Sequence, residues 1–292
     1  MSFPYHSPLF SNPSDRRNYD PLRWQALQTL CESTNHVVDD FAFNNLIQCD
    51  TINPVLLRNY SYPEAYHWTV NTAQNVSTIA LFDFPAMMVP LGEHSSLSTY
   101  FDFDFDPQKW DLDHVLSRRA IVECGLLEQD EYAPFPYIAK KRSADMMALL
   151  RKVYQTTEMI PANSETIAVP FWRSYINGPD VFRLESNPMF EVRQHASPSP
   201  LLTVSERHLR HLTDKCDLYR SIRNLNVVFT PPEVFYSNGS FLHPNDFLTV
   251  LKPKTVVWIS SALCRVQNTD GIDHYKHRLL KLHVVPSNQV ST

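Results

Sequence analysis

Glycine is nearly absent from this chain, and the shortage narrows what it can build more than any other single feature. Five glycines, Gly92, Gly125, Gly178, Gly239 and Gly271, occur in 292 residues, where roughly 20 would be usual. Glycine supplies positive φ and lets a backbone approach a ligand closely. The five are scattered too widely for any two to share a motif. Phosphate-cradling loops of the G-x-x-x-x-G-K and G-x-G-x-x-G types are therefore absent, as is a G-x-S-x-G nucleophile elbow. Gly125, Gly178, Gly239 and Gly271 each fall where a helix end or turn is expected, which leaves Gly92 unassigned. Little glycine remains for a ligand loop, and the pattern points to a scaffold rather than an enzyme.

Composition sets the outer bounds. Hydrophobic residues at 43% and charged residues at 20% describe an ordered globular chain, long enough for one large domain or two small ones. A formal charge of −5 argues against a surface built throughout for polyanions, while leaving room for local patches. The cysteines Cys31, Cys49, Cys124, Cys216 and Cys264 contain no C-x-x-C pair, and their odd number fits a reduced setting. The opening residues lack the basic and apolar regions of a secretory leader, and no apolar run approaches membrane-spanning length.

The pattern along the chain predicts an α+β fold, mainly antiparallel, with interspersed helices and an extended N-terminal arm. Pro4, Pro8 and Pro13 keep residues 1–20 extended. Asp20-Pro21 starts a helix over about 21–33, because Asp caps and Pro suits the first helical position. A second helix is expected over 36–48. Strands are expected at Thr78–Phe82 and Met87–Val89, then a helix over 111–124 ended by Gly125 and another over about 143–158. Asn177-Gly178-Pro179-Asp180 reads as a hairpin connection. The capping-box pattern Thr203-Val204-Ser205-Glu206 opens a long helix over 204–223. Short strands near 226–229 and 233–236, a turn at Asn238-Gly239, a short helix opened by Pro244, and strands over 254–266 and 274–285 complete the chain. Regular βαβ alternation is lacking, so residues 21–285 read as one composite domain with a seam at 196–203 and a tail over 286–292.

Few residues invite chemistry. Phe101 to Asp106 alternate so that a strand would turn three phenylalanines one way and Asp102, Asp104 and Asp106 the other. That acidic ladder resembles the D-x-D element with which metal-dependent glycosyltransferases hold a nucleotide-bound cation. It reads equally as a solvated strand face, or as a surface that docks a basic partner. His208/His211 and His274/His277 have H-x-x-H spacing. The first pair lies among basic residues, the second falls on opposite faces of a strand, and both are read as structural. His274, His277 and His283 are ordinary strand histidines, with a pH-sensitive contact as the alternative. Arg207, Arg210, Lys215, Arg220 and Arg223 share the helix 204–223 with Glu206, Asp214 and Asp217, too small a positive excess for a strong nucleic-acid footprint. Lys140-Lys141-Arg142 reads as the solvated approach to a helix, and Cys124 as core. No catalytic residue, cofactor site or small-molecule substrate is expected.

The same whole-chain character, ordered, proline-rich with 22 prolines, glycine-poor and without catalytic signatures, resembles the minor capsid or clamp proteins of turreted double-stranded RNA viruses of the reovirus type. Aromatic residues at 12% and more arginine than lysine fit a protein contact surface. The resemblance implies a non-enzymatic protein of the virion or host cytoplasm that clamps an inner shell, with a capsid shell protein as partner, no membrane partner, and nucleic acid disfavoured as a partner but not excluded. Contact candidates are Asp102, Asp104, Asp106, Arg207, Arg210, Lys215, Arg220 and Arg223. Two alternatives stand beside it: a metal-dependent glycosyl- or nucleotidyl-transferase using the acidic ladder, and an RNA-binding accessory protein using the basic helix.

Overall fold

A computed structural model describes residues 19–34, 46–48, 65–71, 77–89, 119–127, 134–158, 168–174, 179–192, 227–229, 231–243, 246–267 and 273–288. The fold is α+β with mostly antiparallel pairing, as the sequence predicts. Its strands are β1 (Leu46–Gln48), β2 (Ala65–Asn71), β3 (Ser77–Ile79), β4 (Leu81–Met88), β5 (Arg119–Gly125), β6 (Ala168–Val169), β7 (Trp172–Ser174), β8 (Asp180–Pro188), β9 (Phe190–Val192), β10 (Val227–Phe229), β11 (Glu233–Phe235), β12 (Val256–Gln267) and β13 (Asp273–Val284). The helices are α1 (Pro21–Ser33), α2 (Tyr137–Glu158) and the single turn α3 (Phe247–Val250).

Five of these strands close on themselves. β12 pairs with β4, β4 with β5, β5 with β8 and β8 with β13, and β13 returns to pair with β12 along almost its whole length. The run β12-β4-β5-β8 is a Greek key, three successive strands with a fourth returning beside the first. β13 then fills the gap, parallel to β8 and antiparallel to β12. The closure is partly open, since β4 meets β5 through only Met87↔Gly125 and Met88↔Cys124. Closing the sheet removes most exposed strand edges.

Alternation decides what fills the barrel. Phe82 and Phe84 of β4, Val122 and Cys124 of β5, Phe182 and Leu184 of β8, Ile259 and Leu263 of β12, and Leu279 of β13 are buried in one cluster. Phe84 and Phe182 sit with ring centroids 4.7 Å apart although β5 lies between their strands. That contact crosses the lumen. Each fully buried phenylalanine contributes about 1.5–3 kcal/mol. Helix α2 supplies Met146, Met147, Leu150 and Val153 to the same cluster, a stripe at helical spacing.

A second cluster packs on the outside of the barrel. Leu27 and Cys31 of α1 meet Val256 and Trp258 of β12, with Phe135, Ala139 and Val285. Asp20 caps α1 as its sequence promises, one carboxylate oxygen accepting from the Leu22 and Arg23 amides. The other oxygen accepts from Ser287 Oγ at 2.6 Å and the Asn288 amide at 2.8 Å. Burial pushes its pKa up, but these bonds and the Arg23 charge prevail and hold it below the usual carboxylate range. The first residues of the expected tail are thereby pinned beside the start of α1.

Several expected elements take another form. The helix expected over 111–124 is replaced, within the described residues, by β5. Ala120, Val122 and Cys124 point inward with period two while Glu123 pairs opposite Arg183 of β8. Of the helix expected over 36–48, residues 46–48 form β1, paired antiparallel with β2. Helix α2 begins at Tyr137, earlier than expected, because Pro136 opens it and its carbonyl accepts from Ala139 and Lys140. Arg142 consequently lies inside the helix, buried with its guanidinium 5.8 Å from the centre of the Trp258 ring, not on a solvated approach. The strand expected from 254 begins at Val256, since Lys254 takes φ 71°. Gly239 sits at φ 81° in the expected turn, its amide donating to Tyr236.

Candidate nucleic-acid interface

The acidic ladder Asp102, Asp104 and Asp106 and the basic helix with Arg207, Arg210, Lys215, Arg220 and Arg223 lie outside the described residues, as do His208 and His211. Among the described residues, no group of three or more His, Cys, Asp or Glu is placed to hold a metal. His277 is enclosed in the barrel. Its Nε2 lies 2.7 Å from Ser261 Oγ, its ring stacks on Phe84, and burial drives its pKa down to about 3. It is a neutral core residue, a placement its strand position alone does not give. Cys124 is core too, its thiol pushed up by burial and then by Glu123.

The charged residues that the fold does assemble come from other parts of the chain. On β5, β7, β8 and β13, the residues between the inward-facing ones point out of the barrel and lie side by side on its outer face, where Arg173 and Arg183 are partly exposed and the others are largely buried. Arg119 and Glu123 of β5, Arg183 and Glu185 of β8, and Lys276 and Arg278 of β13 meet there, since Glu123 is opposite Arg183 and Glu185 opposite Arg278. Arg173 joins from β7, opposite Val181.

Their bonding is uneven. Lys276 Nζ donates to Glu185 Oε2 at 2.8 Å, Arg183 Nη2 lies 3.7 Å from Glu185 Oε1, and Arg173 Nη1 lies 3.5 Å from Glu123 Oε1. Burial raises the Glu185 pKa, but the charges of Lys276, Arg183 and Arg119 and the Lys276 hydrogen bond hold it below the carboxylate range. Arg119 and Arg278 converge on one backbone carbonyl, that of Ser186, at 3.1 and 3.4 Å. Arg278 Nη1 also donates to Asn187 Oδ1 at 3.2 Å. All of its partners are neutral although it is only 7% exposed. Among the described residues, five cations thus share this face with two carboxylates, an excess of three on a chain of net charge −5. At the rim, Asp180 is already matched by Arg151 and Ser174.

Sequence reasoning missed this surface because only β7 and β8 are neighbours in the chain, whereas β5 and β13 join β8 from distant segments. The signal available was the alternation Arg183-x-Glu185 and Lys276-x-Arg278, which marks an outward face without saying which strands lie together.

No family model matches the chain, and no curated protein matches it. Among solved structures, it is similar to gp2.5, a single-stranded DNA binding protein encoded by bacteriophage T7. The identity is 9% and the TM-score 0.38, over 72% of this chain and 93% of that one. It is also similar to a single-stranded DNA-binding protein from bacteriophage Enc34, at 11% identity and TM-score 0.29, over 85% of this chain and 98% of that one. Likeness at these scores does not place the chain in a family, and no function is taken from it. It does correct an expectation. The two structures are single-stranded DNA-binding proteins, not capsid or clamp proteins of double-stranded RNA viruses. The clamp kinship, the shell-clamping role and the capsid shell partner are withdrawn, and so is the reading that disfavours nucleic acid as a partner. The transferase alternative gains nothing from these comparisons either.

Proposed function

We propose that this protein binds single-stranded nucleic acid along the outer face of β5, β8 and the first half of β13, as a binding protein and not as a catalyst. The observation that carries the reading is the coincidence of two features. A five-stranded, partly open Greek-key barrel is the form of the OB-fold, in which the face of the second and third strands takes oligonucleotides and oligosaccharides. In this barrel the second and third strands are β5 and β8, and Arg119, Arg173, Arg183, Lys276 and Arg278 gather on their outer face. A fold alone does not imply a function. The charge excess at that position supplies the site.

The cations lie on β5, β8 and β13, with Arg173 on β7 beside β8, and the span from β5 to β13 is roughly 10 Å at ordinary strand spacing. That is a track for one phosphate backbone. An uncharged sugar chain would not need it. Arg183 and Arg173 are the more accessible members, whereas Arg119 and Arg278 are buried and bonded to the Ser186 carbonyl. The likeness to the two phage proteins adds no weight, and the reading stands on this face.

Salt dependence tests it directly. If the excess of three cations neutralises three phosphates, log affinity for an oligonucleotide falls against log salt with a slope of about −2. An Arg183→Gln, Lys276→Gln double variant lowers the affinity and flattens the slope. Binding that is flat in salt, or unchanged in that variant, would overturn the proposal.

A further inference from the structure

The outer side of β13 does not end at Arg278. A bulge opposite Ser260/Ser261 shifts its alternation by one residue, so Lys281 and His283 continue the outward row begun by Lys276 and Arg278. From Arg278 to His283 the strand runs roughly 16 Å. Lys281 is about half exposed and shares its charge with Glu233 at 3.7 Å. At the end of this row a cleft of ≈ 540 Å³ opens between α1 and the barrel, a size typical of small-molecule sites.

The walls of the cleft are of two kinds. Its floor is aromatic: His283 stands opposite Trp258 in register, and the imidazole stacks on Phe235 with centroids 4.8 Å apart and planes 19° from parallel. Its far wall is the apolar side of α1, with Leu22, Ala26 and Leu30. Gln25, Thr29 and Ser237 stand around the same opening with exposed polar ends. A flat ring with a hydrogen-bonding edge suits these surroundings, and an aliphatic chain would leave the polar rim unused. Burial, and then Lys281, lower the His283 pKa against the pull of Asp83 and Glu233. The imidazole is therefore neutral near pH 7, presenting a flat face with one donor and one acceptor.

We infer that this cleft takes a nucleobase of the same strand whose phosphates lie on the cationic face, with the base seated against His283. The inference rests on the proposed nucleic-acid reading and extends it from a phosphate track to a base pocket between α1, β12 and the second half of β13. The continuity of the outward row Lys276, Arg278 and Lys281 along β13 is what leads the strand from one to the other.

The experiment compares a thymidine oligomer with an abasic oligomer of equal length, using wild type, His283→Ala and Ala26→Trp, the last of which fills the cleft from α1. Stacking on an aromatic ring gives wild type about a tenfold preference for the base-bearing oligomer, and both variants reduce that ratio toward one. If wild type shows the preference and both variants keep it, the base sits elsewhere and the inference fails while the phosphate track stands. Equal binding of the two oligomers by wild type also removes the pocket alone. If wild type binds neither, the nucleic-acid reading falls with it. Thermal melts of each variant identify one that has lost its fold, in which case the other decides.

Discussion

The two sides of β5, β8 and β13 are made from alternate residues of the same three strands, yet they behave as different materials. Inward, Val122, Cys124, Phe182, Leu184 and Leu279 form an apolar core in which His277 is kept neutral by burial. Outward, the ion-pairing and hydrogen-bonding side chains Glu123, Arg183, Glu185, Lys276 and Arg278 lie within one residue of that core. A period of two lets one strand carry both, because successive side chains leave on opposite faces. The lesson is that stability and binding are separable here position by position: odd and even residues of one strand should fail in different assays.

The largest effect is expected inside. Phe84 touches Phe182 and His277 across the lumen, so Phe84→Ala removes contacts that no single neighbour can replace. A loss of about 3–5 kcal/mol in unfolding free energy is expected, measured by urea denaturation. Oligonucleotide affinity per folded molecule should be almost unchanged. A small stability loss would mean that the lumen is not the core.

Acid should open the same contrast more gradually. The folded pKa of His277 is about 3, below the 6.5 of the unfolded chain, so the unfolded state binds the additional proton. Stability is then complete above pH 6.5 and falls as pH drops toward 3. Between pH 6.5 and 4.5 roughly 2–3 kcal/mol should be lost. The lowered carboxylates Asp20, Asp180 and Glu185 act only at more acidic pH, so this window belongs to histidine. His283, also lowered, contributes in the same direction. His277→Leu should therefore shrink the slope of unfolding free energy against pH without abolishing it, and an undiminished slope would place the imidazole outside the core.

The smallest effect on stability is expected outside, where the effect on binding is largest. Arg183→Gln breaks a half-exposed pairing and should cost no more than about 1 kcal/mol of stability. The same change should weaken oligonucleotide binding severalfold and make the salt slope shallower by about 0.7. Parallel loss of both properties would erase the distinction between the two sides.

Much of the framework was legible because local chemistry decides it. Asp20-Pro21 marks the start of α1, and the stripe Met146, Leu150 and Val153 marks α2. The long β-rich runs before and after Asn268 to Gly271 become β12 and β13, paired along their length. β5 was not legible as a strand. Leu112, Val115, Leu116 and Ala120 match a helical spacing, while Ala120, Val122 and Cys124 match a strand spacing, and a window this short satisfies either period. Pairing with β8 settles it. The candidate interface was less legible still. Its cations run from Arg119 to Arg278 with no shared motif, whereas the basic stretch that drew attention, 204–223, lies outside the described residues.

By itself, the sequence determined what each position could contribute: no glycine loop for a nucleotide, a capped first helix, and strands whose alternate residues are apolar and charged. Only the tertiary structure decided that five strands close into a barrel, and that the charged sides of β5, β8 and β13 become neighbours. The physical reason is that alternation specifies a face for each strand, whereas strand order and register depend on how all the apolar faces are buried together. The excess of positive charge is therefore a property of the assembled sheet, not of any segment within it.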